Sequence, residues 1–379
     1  MGLDNGYGVG LAGLKPGVCT STTKPASPYV GQVIYMSDVA QTAVWDGTAW
    51  TVLAPIAGGR NVIINGAMDV WQRGTSFANA SASPYYTVDR FQTYRSTGNA
   101  GLTASRQTSA LDGFTYALRM QRDSGNTSTT DIILAQTFET QNVRKFHNKF
   151  VTLSFYARCG ANFSSASSAL IYAITTGTGT DGSIANGLTG QTNSASATAT
   201  LTTTFQRFTV SLSAVLPTTK TQLGITLSYT PVGTASTNDW FEITGVQLEA
   251  GSVATPFEFE DAQVTLAKCQ RYYWRSTNQS SNVYNYVSGA GFALSTVNTI
   301  GWIPLPVTMR TTPSAVEYSN IAWRKYDGAL YALSAVVMDQ PNSQNIGVVG
   351  TTTGLTANWS GNYFNNNTAS GYIAFTAEL

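Results

Sequence analysis

Side chains able to do chemistry are few and scattered. The single histidine, His147, sits in the run RKFHNKF with no cysteine or second histidine near it. It lacks the partners that a metal centre or a general base needs. Cys19, Cys159 and Cys269 are odd in number, far apart and free of any CxxC pair. Such cysteines are expected as free thiols, buried or half-buried. Cleavage of a glycosidic bond needs two carboxylates across a sugar. Asp131, Glu139, Asp239 and Glu242 are available, but spacing alone pairs no two of them, and each is as readily a solvated strand residue. There is no GxSxG elbow, P-loop or HExxH motif. The expectation is a protein that is not an enzyme and uses no metal or cofactor.

Sugar recognition asks for different residues. Exposed aromatic rings meet the CH faces of a sugar, and amides or carboxylates meet its hydroxyls. One candidate group is Tyr85, Tyr86 and Tyr94 around Asp89; a second, further along the chain, is Tyr284, Tyr286, Trp323, Tyr326 and Tyr363. Trp71, Phe91 and Trp240 are expected in a core instead. For Trp323, Tyr326 and Tyr363, which read as loop residues, surface recognition and a subunit interface both stay open. The segment NWSGNYFNNNTASGY (358–372) reads as a polar, aromatic loop suited to adaptable contacts.

The elements that must position these residues read as all-β. Charged residues make up only 11% of the 379 positions and the net charge is +1. No basic cluster stands out in the sequence, so nucleic acid is not expected as a partner. With 42% hydrophobic residues, the chain is long enough and apolar enough for two or three packed domains. No apolar run approaches the roughly 18 residues of a membrane span, and the first residues carry no signal-peptide pattern. Residues 1–30 are Gly-, Thr-, Ser- and Pro-rich. Residues 31–56 hold a small β-hairpin unit, with strands at Val33–Tyr35, Val44–Trp45 and Trp50–Leu53 and a tight turn at Asp46–Gly47. Residues 57–260 show about ten short strands of alternating pattern and no convincing helix, the signature of a β-sandwich. Residues 261–379 read as a second β-sandwich-like domain, with LYALSAVVM as one buried strand and GYIAFTAEL as another.

The stretch Gly245–Tyr273 joins the two large units. Phe241 and Ile243 have one parity and Val246 and Leu248 the other, which implies a bulge at Gly245. Thr255–Pro256 enforces an extended arm, and Asp261 is placed to cap a short helix that follows. Val253, Pro256, Phe257, Phe259 and Leu266 are expected to be buried, against the sandwich, the last domain or a neighbouring chain.

The same stretch carries a resemblance. GVQLE-x-G-x-x-ATPFE followed by LA-x-CQRYY resembles the joint of many phage tail-fibre and virion-surface proteins. VWDGTAW, PxPVxMRxxP and the AEL run resemble other parts of those proteins. NVIINGAMDVW, LAQTFE, FHNKFVTLSFYARC, FQRFTVSLS and DWFEITGVQLE resemble jelly-roll carbohydrate-binding modules, so the expected sandwich is a jelly roll. That family often holds a structural calcium; Asp69 matches one ligand position, but Ile243–Thr244 stand where an aspartate pair is expected. The resemblance implies a virion protein made in the host cytoplasm. It implies a homotrimer docked to other virion proteins through residues 1–30 and bound to host-surface glycan. A capsid-attached head fibre or decoration protein is the alternative; a depolymerase is disfavoured by the lack of catalytic residues and of a long β-helical repeat.

Overall fold

The computed structural model describes residues 17–39, 41–53, 59–79, 85–95, 101–276, 286–366, 368 and 370–379. These form 26 strands and two α-helices. Most of residues 1–30, and Tyr284, lie outside the described residues.

The first unit is one sheet of β1 (Gly17–Cys19), β2 (Val33–Met36), β3 (Gln41–Trp45) and β4 (Trp50–Val52), in that order. Its core is Ile34, Met36 and Ala43. β1 pairs in parallel with β2, so this sheet draws in residues that the sequence assigned to the 1–30 segment. The turn is longer than expected. Trp45 pairs with Trp50, and the Asp46 carboxylate accepts the Thr48 and Ala49 N–H groups at 2.8 and 2.7 Å. Only Gly47 takes a left-handed φ there, 107°.

The sandwich contains β5 (Ser76–Asn79), β6 (Tyr85–Tyr86), β7 (Gln92–Arg95), β8 (Leu102–Thr108), β9 (Tyr116–Arg122), β10 (Ile132–Thr137), β11 (Val151–Cys159), β12 (Ala169–Gly177), β13 (Thr192–Thr200), β14 (Gln206–Ser211), β15 (Gln222–Tyr229) and β16 (Trp240–Ala250). One six-stranded sheet has the order β13-β12-β15-β10-β7-β6 and the other β14-β11-β16-β9-β8-β5. From β9 to β12, and again from β13 to β16, the chain crosses between sheets at every connection, save the hairpin between β12 and β13. That is jelly-roll winding. Alternate residues such as Leu153, Phe155, Ile225 and Leu227 fill the space between the sheets. At Gly245 φ is 61° and the register against β11 shifts between Ser154 and Tyr156. The bulge turns Phe241, Ile243, Val246 and Leu248 all into the same core. The helix missed in the sequence, α1 (Thr140–Val143), is a single turn.

Asp261 caps α2 (Ala262–Gln270) by accepting the Gln263 N–H at 2.8 Å. The C-terminal domain follows with β17 (Tyr273–Arg275), β18 (Gly291–Ala293), β19 (Asn298–Pro304), β20 (Ala315–Ser319), β21 (Ile321–Lys325), β22 (Leu330–Ala332), β23 (Ala335–Asp339), β24 (Asn345–Thr351), β25 (Ser360–Asn365) and β26 (Tyr372–Thr376). A three-stranded sheet, β17-β26-β20, packs on a seven-stranded one, β22-β21-β25-β18-β19-β24-β23. LYALSAVVM is not one strand. It breaks at Leu333–Ser334, and its halves form the opposite edges of the larger sheet. Likewise 358–372 is not a loop throughout, since β25 is an inner strand of that sheet.

The arm corrects another expectation. Val253, Phe259 and Leu266 are 42%, 60% and 37% exposed, Pro256 is exposed and Phe257 is half-buried. Polar bonds hold this segment in place of apolar burial. Glu249 accepts the Thr255 N–H and hydroxyl. Gln247 accepts the Glu258 N–H, and the Glu258 carboxylate accepts the N–H groups of Gly59 and Asn61. The rings of Phe257 and Phe259 pack on Phe114 at about 5 Å, 5.1 and 5.0 Å between centroids.

Candidate recognition surface

The first candidate group divides among three places. Tyr94 is half-buried on the outer face of its sheet, beside Ala135, Ile184 and Leu188. Tyr85 leans on Phe77, with ring centroids 6.3 Å apart. Tyr86 and Asp89 are drawn into the junction between the two large domains, so neither offers a free surface for a sugar. Tyr86 donates its hydroxyl to the Leu379 carbonyl at 3.1 Å. Asp89 is buried and accepts the Gln72 N–H and side-chain amide at 2.6 and 2.7 Å. Burial raises its pKa to about 6, against the opposing pull of Arg73.

That junction is dense in charge. The Arg90 guanidinium lies 3.5 Å over the Tyr272 ring, pairs with Glu378 and donates to the Thr137 carbonyl at 2.9 Å. Burial works against its charge, yet Glu378 and Tyr272 hold its pKa above the ordinary value. Arg73 lies 3.5 Å over Tyr273 and 3.1 Å from Glu378. Glu139 accepts from Arg271 at 2.9 and 3.0 Å and from the Tyr272 hydroxyl at 2.5 Å. Cation–π stacking and desolvated ion pairs thus seat the three-stranded sheet on the sandwich. One face of that small sheet meets the sandwich through Tyr273 and the other packs into the C-terminal core. The outer face of the seven-stranded sheet therefore points away from the sandwich.

The other carboxylates weighed for catalysis are taken by partners. Glu242 bridges Arg119 and Arg158 at 2.6 and 2.7 Å, and Asp239 pairs with Arg122 at 2.9 Å. Asp131 accepts the Thr230 hydroxyl. The His147 ring is 3.0 Å from the Lys220 carbonyl. At the calcium position implied by the resemblance, Ile243 is core and the Thr244 hydroxyl donates to the Tyr116 carbonyl at 2.9 Å. Those two residues do not fit a calcium ligand pair.

In the second candidate group, Trp323 and Tyr363 are core residues, not surface ones. They are 0% and 1% exposed and pair across β21 and β25 on the inner face. The Tyr363 hydroxyl donates to the Val348 carbonyl at 2.8 Å. Tyr326 is 72% exposed, at the turn between β21 and β22.

Three exposed aromatic residues, Tyr286, Phe292 and Trp302, lie on the outer face of the seven-stranded sheet. Strand pairing aligns Ser360, Phe292, Ile300, Val349 and Val337 in one row across five strands. A second row carries Leu330, Arg324 and Asn362 at one end and Trp302, Gly347 and Asp339 at the other. Trp302 is 47% exposed and lies opposite a glycine, which leaves its indole uncovered on that side; Phe292 is 6.3 Å from it. Tyr286 stands edge-on to Phe364 at 4.7 Å, and the Arg324 guanidinium lies 5.0 Å over Phe364.

No protein-family model matches the sequence, and no curated protein matches it. Several solved structures are similar to part of the chain. One is the enzymatically active domain of tailspike protein 4 of bacteriophage CBA120, at 12% identity over 46% of this chain and a TM-score of 0.29. The match spans 21% of that domain's length. Another is a family 61 carbohydrate-binding module solved with β-1,4-galactotriose, at 12% identity over 50% of this chain and 99% of the module, TM-score 0.30. A third, from work on the promiscuous specificity of carbohydrate-binding modules of the β-sandwich superfamily, has 12% identity over 55% of this chain and 72% of its own, TM-score 0.33.

Chemically, the outer face offers apolar rings for CH groups, with Asn362, Ser360 and Arg324 beside them for hydroxyls. Sequence reasoning placed Tyr286 and Tyr326 among the candidates but missed Trp302 and Phe292. Trp302 alternates with Gly301 and Ile303, which are buried; that period of two was the signal that could have put it on the opposite face.

Proposed function

We propose that this chain is a structural protein of a phage particle, a tail fibre or receptor-binding protein, that attaches the particle to a glycan on the host surface. The observation that carries this reading is the aromatic outer face of the seven-stranded sheet, turned away from the sandwich. The joint adds support. Residues of the fibre-like motifs, Arg271, Tyr272, Tyr273 and Glu378, converge on Arg73, Arg90 and Glu139. A rigid joint of this kind suits a protein that transmits a host contact to a particle. Residues 1–30 dock to other virion proteins, and three copies assemble around an axis.

The test is binding of purified chain to host cells, with Trp302→Ala and Phe292→Ala compared with wild type. Losing one aromatic anchor costs about 1–2 kcal/mol, a roughly 5–30-fold loss of apparent affinity. Undiminished binding by both variants would rule out this face. A monomeric mass in solution would rule out the trimer.

A further inference from the structure

Two clefts, of ≈ 300 and ≈ 180 Å³, adjoin at Gly59 and Lys145. The larger is built by the segment leading into the sandwich, by α1 and by the last turn of α2; Gln141, Asn142, Lys145, Lys268 and Arg271 face it. Arg60 and Lys149 line the smaller one. Together the clefts collect five cations and no lining carboxylate, in a chain with 21 basic and 20 acidic side chains. Lys268 and Arg271 have their own partners, Glu260 and Glu139. Arg60, Lys145 and Lys149 have no carboxylate partner among the described residues. The Lys145 amine donates only to the Gly59 carbonyl, at 3.2 Å. The cleft walls partly desolvate the amine and lower its pKa, Lys268 adds to that by repulsion, and the Glu258 carboxylate opposes it. Against these five cations stand the carboxylates of Glu139, Glu258 and Glu260, which bond to Arg271, to the Gly59 and Asn61 N–H groups and to Lys268; the clefts keep an excess of positive charge, which favours an anionic ligand.

We propose that these joined clefts bind an anionic sugar unit, its carboxylate or phosphate seated between Lys145 and Lys268 and its hydroxyls met by Gln141 and Asn142. The larger cleft is at the small end of ligand pockets, which start near about 300 Å³, and suits one or two sugar rings. Amides beside the cations favour a sugar over a bare phosphate backbone, which needs a stripe of cations. This site is separate from the aromatic face and independent of the proposed glycan contact there.

The experiment is calorimetric titration of the full chain with digalacturonate, its methyl ester, glucose 6-phosphate, inorganic phosphate and a single-stranded oligonucleotide. Digalacturonate or glucose 6-phosphate is expected to bind, and which of them does identifies the anion. The ester is expected to bind at least about tenfold more weakly than the acid, a difference of about 1.4 kcal/mol. Binding is expected to weaken as salt is raised to about 0.3 M. Lys145→Gln with Lys149→Gln is expected to reduce affinity more than about fivefold, since each removes an unpaired charge from the site. Both lysines are exposed, so the variant should melt where wild type does; if it does not, salt dependence on wild type decides. Trp302→Ala should leave this binding unchanged. Four results would overturn the proposal: no heat with either acidic sugar, equal binding of acid and ester, binding insensitive to salt, or tighter binding of the oligonucleotide or of inorganic phosphate alone.

Discussion

Replacing Glu378 by alanine tests whether charge holds the two large domains together. Glu378 is the carboxylate shared by Arg73 and Arg90, whose side chains are 11% and 2% exposed. Its removal leaves Arg90 stacked on Tyr272 and donating to the Thr137 carbonyl, without its carboxylate partner. Arg73 is left with Asp89 at 4.0 Å. Breaking a buried pair from one side costs about 3–5 kcal/mol, because the remaining charge stays desolvated. In a domain of this size each kcal/mol moves the melting temperature by about 2–4 °C, so a fall of roughly 6–20 °C is expected. Glu378→Gln keeps a hydrogen-bond acceptor without the charge and should fall between wild type and Glu378→Ala. Lys325→Gln, which breaks a surface pair with Asp327, should change stability by no more than about 1 kcal/mol. Differential scanning calorimetry of the full chain reads all three. A fall of under about 2 °C for Glu378→Ala would refute the reasoning. So would two independent transitions in the wild type, assignable to the sandwich and the C-terminal domain.

Three more outcomes follow from the geometry. Asp89, raised by burial from 3.8 to about 6, holds a proton when folded that the unfolded chain has already released. It therefore contributes stability near pH 4 that is lost as pH rises through about 6; Asp89→Asn should remove that component, and parallel melting curves against pH for variant and wild type would contradict it. Gly245→Ala would place a methyl 2.8 Å from the rings of Phe114 and Tyr156 at a φ of +61°. A loss of about 1–3 kcal/mol is expected in a denaturant titration. Burial pushes up the thiol pKa of Cys159, and that of Cys269 further. In the native protein a thiol reagent should label the half-exposed Cys19 and spare those two; labelling of all three would be inconsistent with the buried positions.

The sandwich was legible because its strands alternate cleanly. Leu153, Phe155 and Ala157 in β11 and Ile225 and Leu227 in β15 write the core in steps of two. The parity change around Gly245 located a bulge to the residue. The C-terminal domain was read less well, because its strands are short and its turns polar. Trp323 and Tyr363 looked like loop aromatics since Arg, Lys and Asn flank them, but flanking polarity is also what an outer sheet face looks like. The arm failed for a different reason. Phe259 and Val253 suggested burial, whereas Gln247, Glu249 and Glu258 fix the backbone, and side-chain bonds across 6 to 199 positions leave no periodic trace. The joint itself was legible, but its charge pairs were not, since Arg73, Arg90, Glu139 and Glu378 lie far from their partners in sequence.

The span of that junction sets an order of events while the chain is being made. Arg90 and Glu378 are 288 positions apart. At ribosomal speeds of about 5–20 residues per second, Arg90 emerges roughly 15–60 s before its carboxylate exists. A jelly roll completed at Ala250 therefore waits with Arg73 and Arg90 open to water and to other chains. The nascent sandwich is most exposed to wrong partners during that interval, and the arrival of Glu378 closes it.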